Sequence, residues 1–240
     1  MTEKLSLEKR FLSIEENYKE IKENIAAAAE RSGRNESDIR FMAVTKTVEP
    51  IFINHALSLG IDLIGENKVQ ELLSKTEFLE GEAEKHIIGH LQSNKARKII
   101  NEVSMIESVD SVSLAAEISR QAVNNSKTMD ILLEVNIGAE ASKTGFDFSA
   151  VNESAFKIAE MKNICIRGLM AVPPICEEKA ELRAYFSKMR RLFEDMKSSS
   201  PAFSQFDTLS LGMSGDYAEA IEEGSTLIRV GSALFGMRRY

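Results

Sequence analysis

One pattern constrains this chain more than any other: an apolar run of strand length followed by a helical pattern, repeated from residue 39 to near the C-terminus. The runs are Phe41 to Thr45, Asp62 to Gly65, His86 to Gly89, Ser104 to Val109, Met129 to Val135, Ile164 to Met170, Asp207 to Gly212 and Thr226 to Val230. Helical periodicity fills each gap: Pro50 to Leu59, then about 67–79, 93–101, 111–124, 149–161, 178–196 and 216–223. Runs such as Ile131-Leu132-Leu133 are apolar on both strand faces, which is the mark of a parallel sheet covered by helices. Eight such units in 240 residues close naturally as a TIM-type (β/α)8 barrel. A doubly wound open sheet shares most of these local signals and stands as the alternative.

Ahead of the repeat lies a helix over about 6–32. Its apolar residues Leu7, Phe11, Ile14, Tyr18, Ile21 and Ile25 recur at three and four, and Gly33 supplies its stop. Asp110, just before the 111–124 helix, is expected to cap it. Ser198-Ser199-Ser200-Pro201 reads as a surface connection inside the repeat, so residues 1–240 are expected to form one domain. With 43% hydrophobic residues the chain can bury a large core. Thirty Lys and Arg against 37 Asp and Glu leave a net charge of -7, which disfavours broad contact with nucleic-acid backbones. No apolar run reaches membrane-spanning length, and Met1 to Leu5 begins no signal segment. Cys165 and Cys176 form neither a disulfide framework nor a metal-site spacing. A cytoplasmic protein that engages neither membrane nor nucleic acid is the expectation.

In a barrel of this kind chemistry sits at the C-terminal ends of the strands. Lys46 stands at the end of the first strand, on the same face as Val44 and Met42. If that face is the interior, partial desolvation would favour the neutral, nucleophilic amine; otherwise Lys46 is a lysine emerging into solvent. Asn67 follows the second strand in Gly65-Glu66-Asn67, and Asn136 ends the fifth ahead of Glu140, Lys143 and Gly145; turn chemistry alone can account for these. His86 and His90 bracket the third strand end with no carboxylate or cysteine at metal spacing, and read as packing or loop residues. The densest cluster is C-terminal: Gly212-Met213-Ser214-Gly215-Asp216 after the seventh strand, then Arg229 in the eighth followed by Gly231-Ser232. Backbone N–H groups of Gly231 and Ser232 with the Ser214 hydroxyl make an anion site, phosphate above all; a well-capped helix start is the plainer reading. Walker, dinucleotide-binding, zinc-helix and nucleophile-elbow signatures are absent.

Taken together, these segments resemble the YggS/PROSC family of pyridoxal phosphate homeostasis proteins from Arg40 to Tyr240. The residues that carry the resemblance are Ala43-Val44-Thr45-Lys46-Thr47, Gly65-Glu66-Asn67 through Gln70-Glu71, Ile88-Gly89-His90-Leu91-Gln92-Ser93-Asn94-Lys95 and Val135-Asn136 with Glu140, Lys143 and Gly145. Gly168-Leu169-Met170, Gly212-Met213-Ser214 with Asp216, and Arg229 through Gly236 complete them. The resemblance implies a barrel like the N-terminal domain of alanine racemase, holding pyridoxal 5′-phosphate (PLP) as an imine on Lys46. It further implies that Ser214, Gly231 and Ser232 hold the phosphate, that Arg229 faces the pyridine nitrogen, that Asn67 lines the ring, and that no metal takes part. Lys85-His86-Ile87 departs from the Trp-His-Phe usual in the family at that place.

The function implied is binding and supply or buffering of PLP in the cell, without established turnover and therefore without catalytic residues. Apo PLP-dependent enzymes and free amino acids are the implied partners, and a monomer is expected. The alternative is a PLP enzyme with weak racemase-like activity. Two features count against it. A permanent positive charge at Arg229 disfavours protonation of the ring nitrogen. The chain also ends after its eighth unit, where a racemase carries a second domain, and Tyr217 reads as packing, not as a second base.

Overall fold

Residues 2–140 and 143–236 are described by the structure, a computed structural model. The eight expected strands are present as β1 (Arg40–Val44), β2 (Leu63–Glu66), β3 (Glu84–Ile87), β4 (Met105–Val109), β5 (Met129–Asn136), β7 (Ile164–Met170), β8 (Thr208–Ser210) and β9 (Leu227–Val230). They pair in parallel in that order, and the β1–β9 and β4–β5 ladders close the sheet into a barrel, which excludes the open-sheet alternative. A further two-residue strand, β6 (Phe146–Asp147), extends the ladder at Val135 and Asn136 of β5. It is too short to leave a sequence period.

Between the strands run α2 (Pro50–Ser58), α3 (Val69–Thr76), α4 (Ser93–Ile99), α5 (Val112–Asn124), α6 (Val151–Ala159), α7 (Lys179–Ser199) and α8 (Tyr217–Glu222); α9 (Ser232–Phe235) follows β9. Alternation along the strands divides the buried residues into two layers. Ala43, Ile64, Ile228 and Val230 point outward and pack under the helices. Met42, Leu63 and Leu227 point inward as one small apolar cluster, and Met105, Leu132 and Met170 as another.

The first helix, α1 (Thr2–Arg31), covers the outside of this barrel. Ile14, Ile21, Ile25, Ala28 and Ala29 are buried along one stripe. Asn17 donates to the Leu234 carbonyl of α9 at 2.9 Å, and Asn24 donates to the Tyr217 hydroxyl of α8 at 3.1 Å. Gly33 ends the helix region with φ +68°, a left-handed conformation that costs glycine little. Tyr217 is thus a packing residue, as expected.

Three local expectations give way. β3 begins at Glu84, two residues before the apolar run, because its register sets Glu84 against Leu63 and the Glu84 N–H donates to the Asp62 carbonyl at 2.8 Å. At a strand's entrance the backbone pairs whatever the side chain, so polarity hides it. Ser111, not Asp110, caps α5, its hydroxyl accepting from the Leu114 N–H at 3.3 Å, while Asp110 pairs with His90 at 2.9 Å. α7 runs past its expected end near residue 196 and takes in Ser198 and Ser199; the stretch Ser198 to Pro201 stays at the surface as expected, and Phe203 and Phe206 beyond it are fully buried.

Ion pairs tie the strand entrances at the N-terminal pole of the barrel. Arg40 of β1 meets Glu84 of β3 at 3.0 Å, and Arg167 of β7 joins Asp130 of β5, at 3.1 Å, to Asp207. The His86 imidazole and, against some burial, the Arg40 guanidinium hold the Glu84 carboxyl down at about 2, below its ordinary 4.5. A lowered folded-state pKa contributes stability that is present above the ordinary value and lost as pH falls through the folded one. Glu84→Gln should therefore lower the urea midpoint at neutral pH, with the gap to wild type closing between pH 4.5 and about 2. Parallel midpoint curves across that window would show that the charge of Glu84 contributes nothing.

Candidate functional site

The C-terminal ends of β1 and β9 lie against one another. A Cβ on Gly231 would stand 3.2 Å from both the Cβ and the carbonyl oxygen of Val44, so the backbone approaches there more closely than most side chains permit. That approach places Lys46, directly after β1, beside Gly231 and Ser232 in the wall of a cleft of about 700 Å³. Ser6, Lys9, Arg10 and Ser13 of α1 line its outer side. In the sequence α1 is legible as an amphipathic helix, and nothing in its period marks those polar residues as facing a cleft.

Lys46 is half-buried at the entrance of a strained turn: Thr47 has φ +63°, a left-handed conformation unusual for a β-branched residue. A buried polar cluster outside the barrel holds the turn. The Lys75 ammonium of α3 donates to the Thr45 carbonyl at 2.8 Å, to Glu66 at 2.7 Å and to Glu71 at 2.6 Å. The Thr45 hydroxyl donates to Glu66 at 2.8 Å, and the Thr47 N–H donates to Glu71. Burial pushes the Glu66 carboxyl up against the pull of Lys75, whereas for Glu71 the bonds from Lys75 and the Thr47 N–H outweigh burial and bring it down. Lys75 is not legible as a site residue in the sequence, because a lysine on a helix carries no visible sign of burial.

In the turn after β8, Gly212 adopts φ +89°, and a Cβ there would lie 2.6 Å from the Ala220 side chain, so α8 packs directly on this turn. Asp216 accepts the Met213 N–H and so shapes the turn that presents Ser214. The Ser214 oxygen accepts the N–H groups of Gly231 at 3.1 Å and Ala233 at 3.2 Å. Two backbone donors converge on one oxygen, and the serine keeps its own proton to give. The Ala233 N–H thus joins that of Gly231 on the Ser214 oxygen.

Arg229 is buried, 4% exposed, inside the barrel. Its guanidinium donates to the Ser210 carbonyl at 2.8 Å, the Ser210 hydroxyl, and the Ala171 carbonyl at 3.0 Å. Ser210 donates to Glu107 at 2.6 Å, and the other Glu107 oxygen meets His86 Nδ1 at 2.7 Å. His86 and His90 each have a carboxylate partner after all, supplied by the strand or loop one unit onward. No group of three or more potential metal ligands occurs among the described residues. Asn67 is half-buried in the turn after β2, with its backbone against Gly89. Asn136 spends its amide on its own loop, bonding Glu140 through both side-chain atoms. The structure thus brings Lys46, Gly231 and Ser232 onto one cleft, with Ser214 behind Gly231; Arg229 and Asn67 do not line that cleft.

Known proteins share this architecture. The model of the family "Alanine racemase, N-terminal domain" matches residues 17–239. The Pyridoxal phosphate homeostasis protein of Aquifex aeolicus is 38% identical over 226 residues, covering 94% of this chain and 98% of its own length. A protein of unknown function from Bifidobacterium adolescentis superposes with a TM-score of 0.90 at 37% identity, over 94% of this chain and 96% of that one. PipY of Synechococcus elongatus, solved with PLP bound, superposes with a TM-score of 0.78 at 31% identity, over 88% of this chain and all of its own.

The site subsists on the Lys75 cluster, which makes that lysine a sensitive point. Lys75→Met should strand the Glu66 carboxyl in the interior at a cost of about 3 kcal/mol, measured by urea unfolding, and should speed amide exchange at Thr47. Unchanged exchange at Thr47 would show that the turn holds its shape without the cluster.

Proposed function

The chain belongs to the family of pyridoxal phosphate homeostasis proteins, and from that premise we propose that it binds PLP as an imine on Lys46 and supplies or buffers it in the cell. The observation that carries the reading is the single cleft on which Lys46 meets the Gly231-Ser232 turn, with two N–H groups and the Ser214 hydroxyl converging behind it. These donors suit a phosphate: charge-assisted bonds from N–H and O–H groups anchor an anion without a metal. Lys46, Asn67, Ser214, Arg229, Gly231 and Ser232 are the proposed cofactor residues. In this assignment Lys46 forms the imine, Ser214 with Gly231 and Ser232 receives the phosphate, Arg229 faces the pyridine nitrogen and Asn67 lines the ring. The bound cofactor supplies an aldehyde that exchanges between amines.

We take residues 1–240 to act as one domain, as a monomer in the cytoplasm, passing PLP to apo enzymes and exchanging it with free amino acids. No helix among the described residues is long and apolar enough to cross a membrane. Racemisation would need proton-transfer groups on both faces of a substrate carbon. Lys46 could serve one. Tyr217, at the start of α8 beyond the Ser214 turn, is buried and accepts a bond from Asn24 of α1, which commits it to packing. The proposed role is therefore that of a carrier.

Borohydride reduction of the PLP-loaded protein followed by peptide mapping should label Lys46, and loaded protein should activate an apo enzyme without exchanging the α-hydrogen of alanine. A label at another lysine sinks the imine assignment; rapid exchange with interconversion of L- and D-alanine, lost in Lys46→Ala, makes the protein an enzyme. Ser214→Ala should weaken retention of PLP about tenfold or more while leaving unphosphorylated pyridoxal little affected, as read by equilibrium dialysis. Equal losses for both compounds would remove Ser214 from the phosphate.

A further inference from the structure

A guanidinium cannot shed its proton under ordinary conditions, so a buried arginine needs a counter-charge and a full set of acceptors. Arg229 bonds neutral oxygens: the Ser210 carbonyl, the Ser210 hydroxyl and the Ala171 carbonyl. The negative charge joined to it through hydrogen bonds is Glu107, which is fully buried on the facing strand β4.

Proton counting from Arg229 fixes the direction of the bonds as far as Glu107. The Ser210 oxygen accepts from Arg229, so its own proton goes to Glu107 Oε2 at 2.6 Å. With Glu107 ionised, its Oε1 accepts from His86 Nδ1, at 2.7 Å, which puts a proton on that nitrogen. Both carboxylate oxygens are committed, an arrangement that suits an ionised Glu107. Burial alone would raise that carboxyl; the bond and charge of His86, then the charge of Arg229 and the bond from Ser210, outweigh it, so the carboxylate stands between two cationic groups. Two further carboxyls exert their charge on Arg229: Asp216, ahead of α8, and Glu134, on β5. Asp216 is committed to the Met213 N–H and Glu134 to the Thr144 hydroxyl at 3.1 Å, and burial raises both towards the neutral form.

We propose that Glu107 is the positioning residue and counter-charge of Arg229, acting through the Ser210 hydroxyl to fix both the orientation and the field of the guanidinium that faces the cofactor. The proposal rests on the assignment of Lys46 and Arg229 to PLP made above. Neutralising Glu107 leaves the positive charge of Arg229 less compensated, so an imine on the ring that Arg229 is assigned to face should hold its proton less tightly. It also frees the Ser210 hydroxyl to turn, so the guanidinium loses its fixed aim.

The test is a pH titration of the visible absorption band of PLP-loaded protein, with the rate of PLP release and the melting temperature of the apo protein measured alongside. Glu107→Gln, which keeps the shape of the side chain, should move the titration to lower pH by about one unit, and Arg229→Gln should move it to higher pH. In the Arg229→Gln background Glu107→Gln should no longer speed PLP release, because the guanidinium it aims is gone. If Glu107→Gln does not fold, Ser210→Ala decides: it leaves both charges in place but cuts the line, and should speed PLP release severalfold. Glu107→Gln, or Ser210→Ala in its stead, that lowers the melting temperature and leaves titration and release at wild-type values overturns the proposal. A titration insensitive to Arg229→Gln removes Arg229 from the ring and takes the proposal with it; a borohydride label away from Lys46 identifies failure of the imine assignment instead.

Discussion

A charged guanidinium in the middle of a barrel is the constraint around which this structure is arranged. Arg229 is buried, and leaving it without acceptors and an opposing charge would cost several kcal/mol, so the inward positions near it are given to Ser210, Glu107 and His86. That choice takes space from apolar packing. The inward apolar residues are reduced to two small clusters, one around Met42, Leu63 and Leu227 and the other around Met105, Leu132 and Met170. The outer layer carries the bulk of the burial in compensation, where Ile131, Leu133, Leu169 and Leu209 meet the helices. Stability and chemistry are thus separated by strand face: odd and even positions of the same strand serve different ends.

The second arrangement that matters is the way two unlike turns are held at the barrel mouth. The Lys46–Thr47 turn depends on side chains outside the barrel, where Lys75 gathers the Thr45 carbonyl, Glu66 and Glu71. The Ser214 and Gly231 turns depend on backbone donors and on Asp216. Strands β1 and β9, paired over Arg40 to Ala43, bring these independently braced turns together. A site whose proposed amine and proposed anion donors hang on separate supports, with a rigid ladder between them, keeps its geometry when either support relaxes a little.

The sequence is informative where a signal is periodic or local. Strand and helix alternation reveals the barrel, and the glycine-flanked turns at Ser214 and Gly231, which the structure joins through the Ser214 oxygen, stand out by composition alone. Its failures share a physical cause, namely pairing between residues far apart in the chain. His86 and Glu107 lie 21 residues apart and meet because they sit on adjacent parallel strands facing inward. Ser210 and Glu107 lie 103 residues apart and meet across the barrel interior. No spacing rule joins such positions until the strand order and the inward face are known. Asp110 misleads for the same reason, since its partner His90 comes from the preceding unit and outcompetes the local helix start that Ser111 then caps.

The two poles of the barrel show what the fold does with its charges. At the strand entrances, Arg40 and Arg167 are each occupied by carboxylates, Glu84 in one case and Asp130 with Asp207 in the other, so the charge there is consumed in holding strands together. At the strand exits, Gly231 and Ala233 turn their N–H groups on a single hydroxyl oxygen. A hydroxyl is a weaker acceptor than a carboxylate and retains a proton of its own, so it can share those donors with an incoming anion in a way that a carboxylate could not. The buried line from His86 to Arg229 runs between these poles, and the permanent charge at one end sets its hydrogen-bond directions as far as Glu107. A barrel with the same strands but an apolar interior would keep the outer packing and both poles. It would lose the fixed positive charge that the interior presents towards the mouth, which is why the polar line is worth its cost in packing.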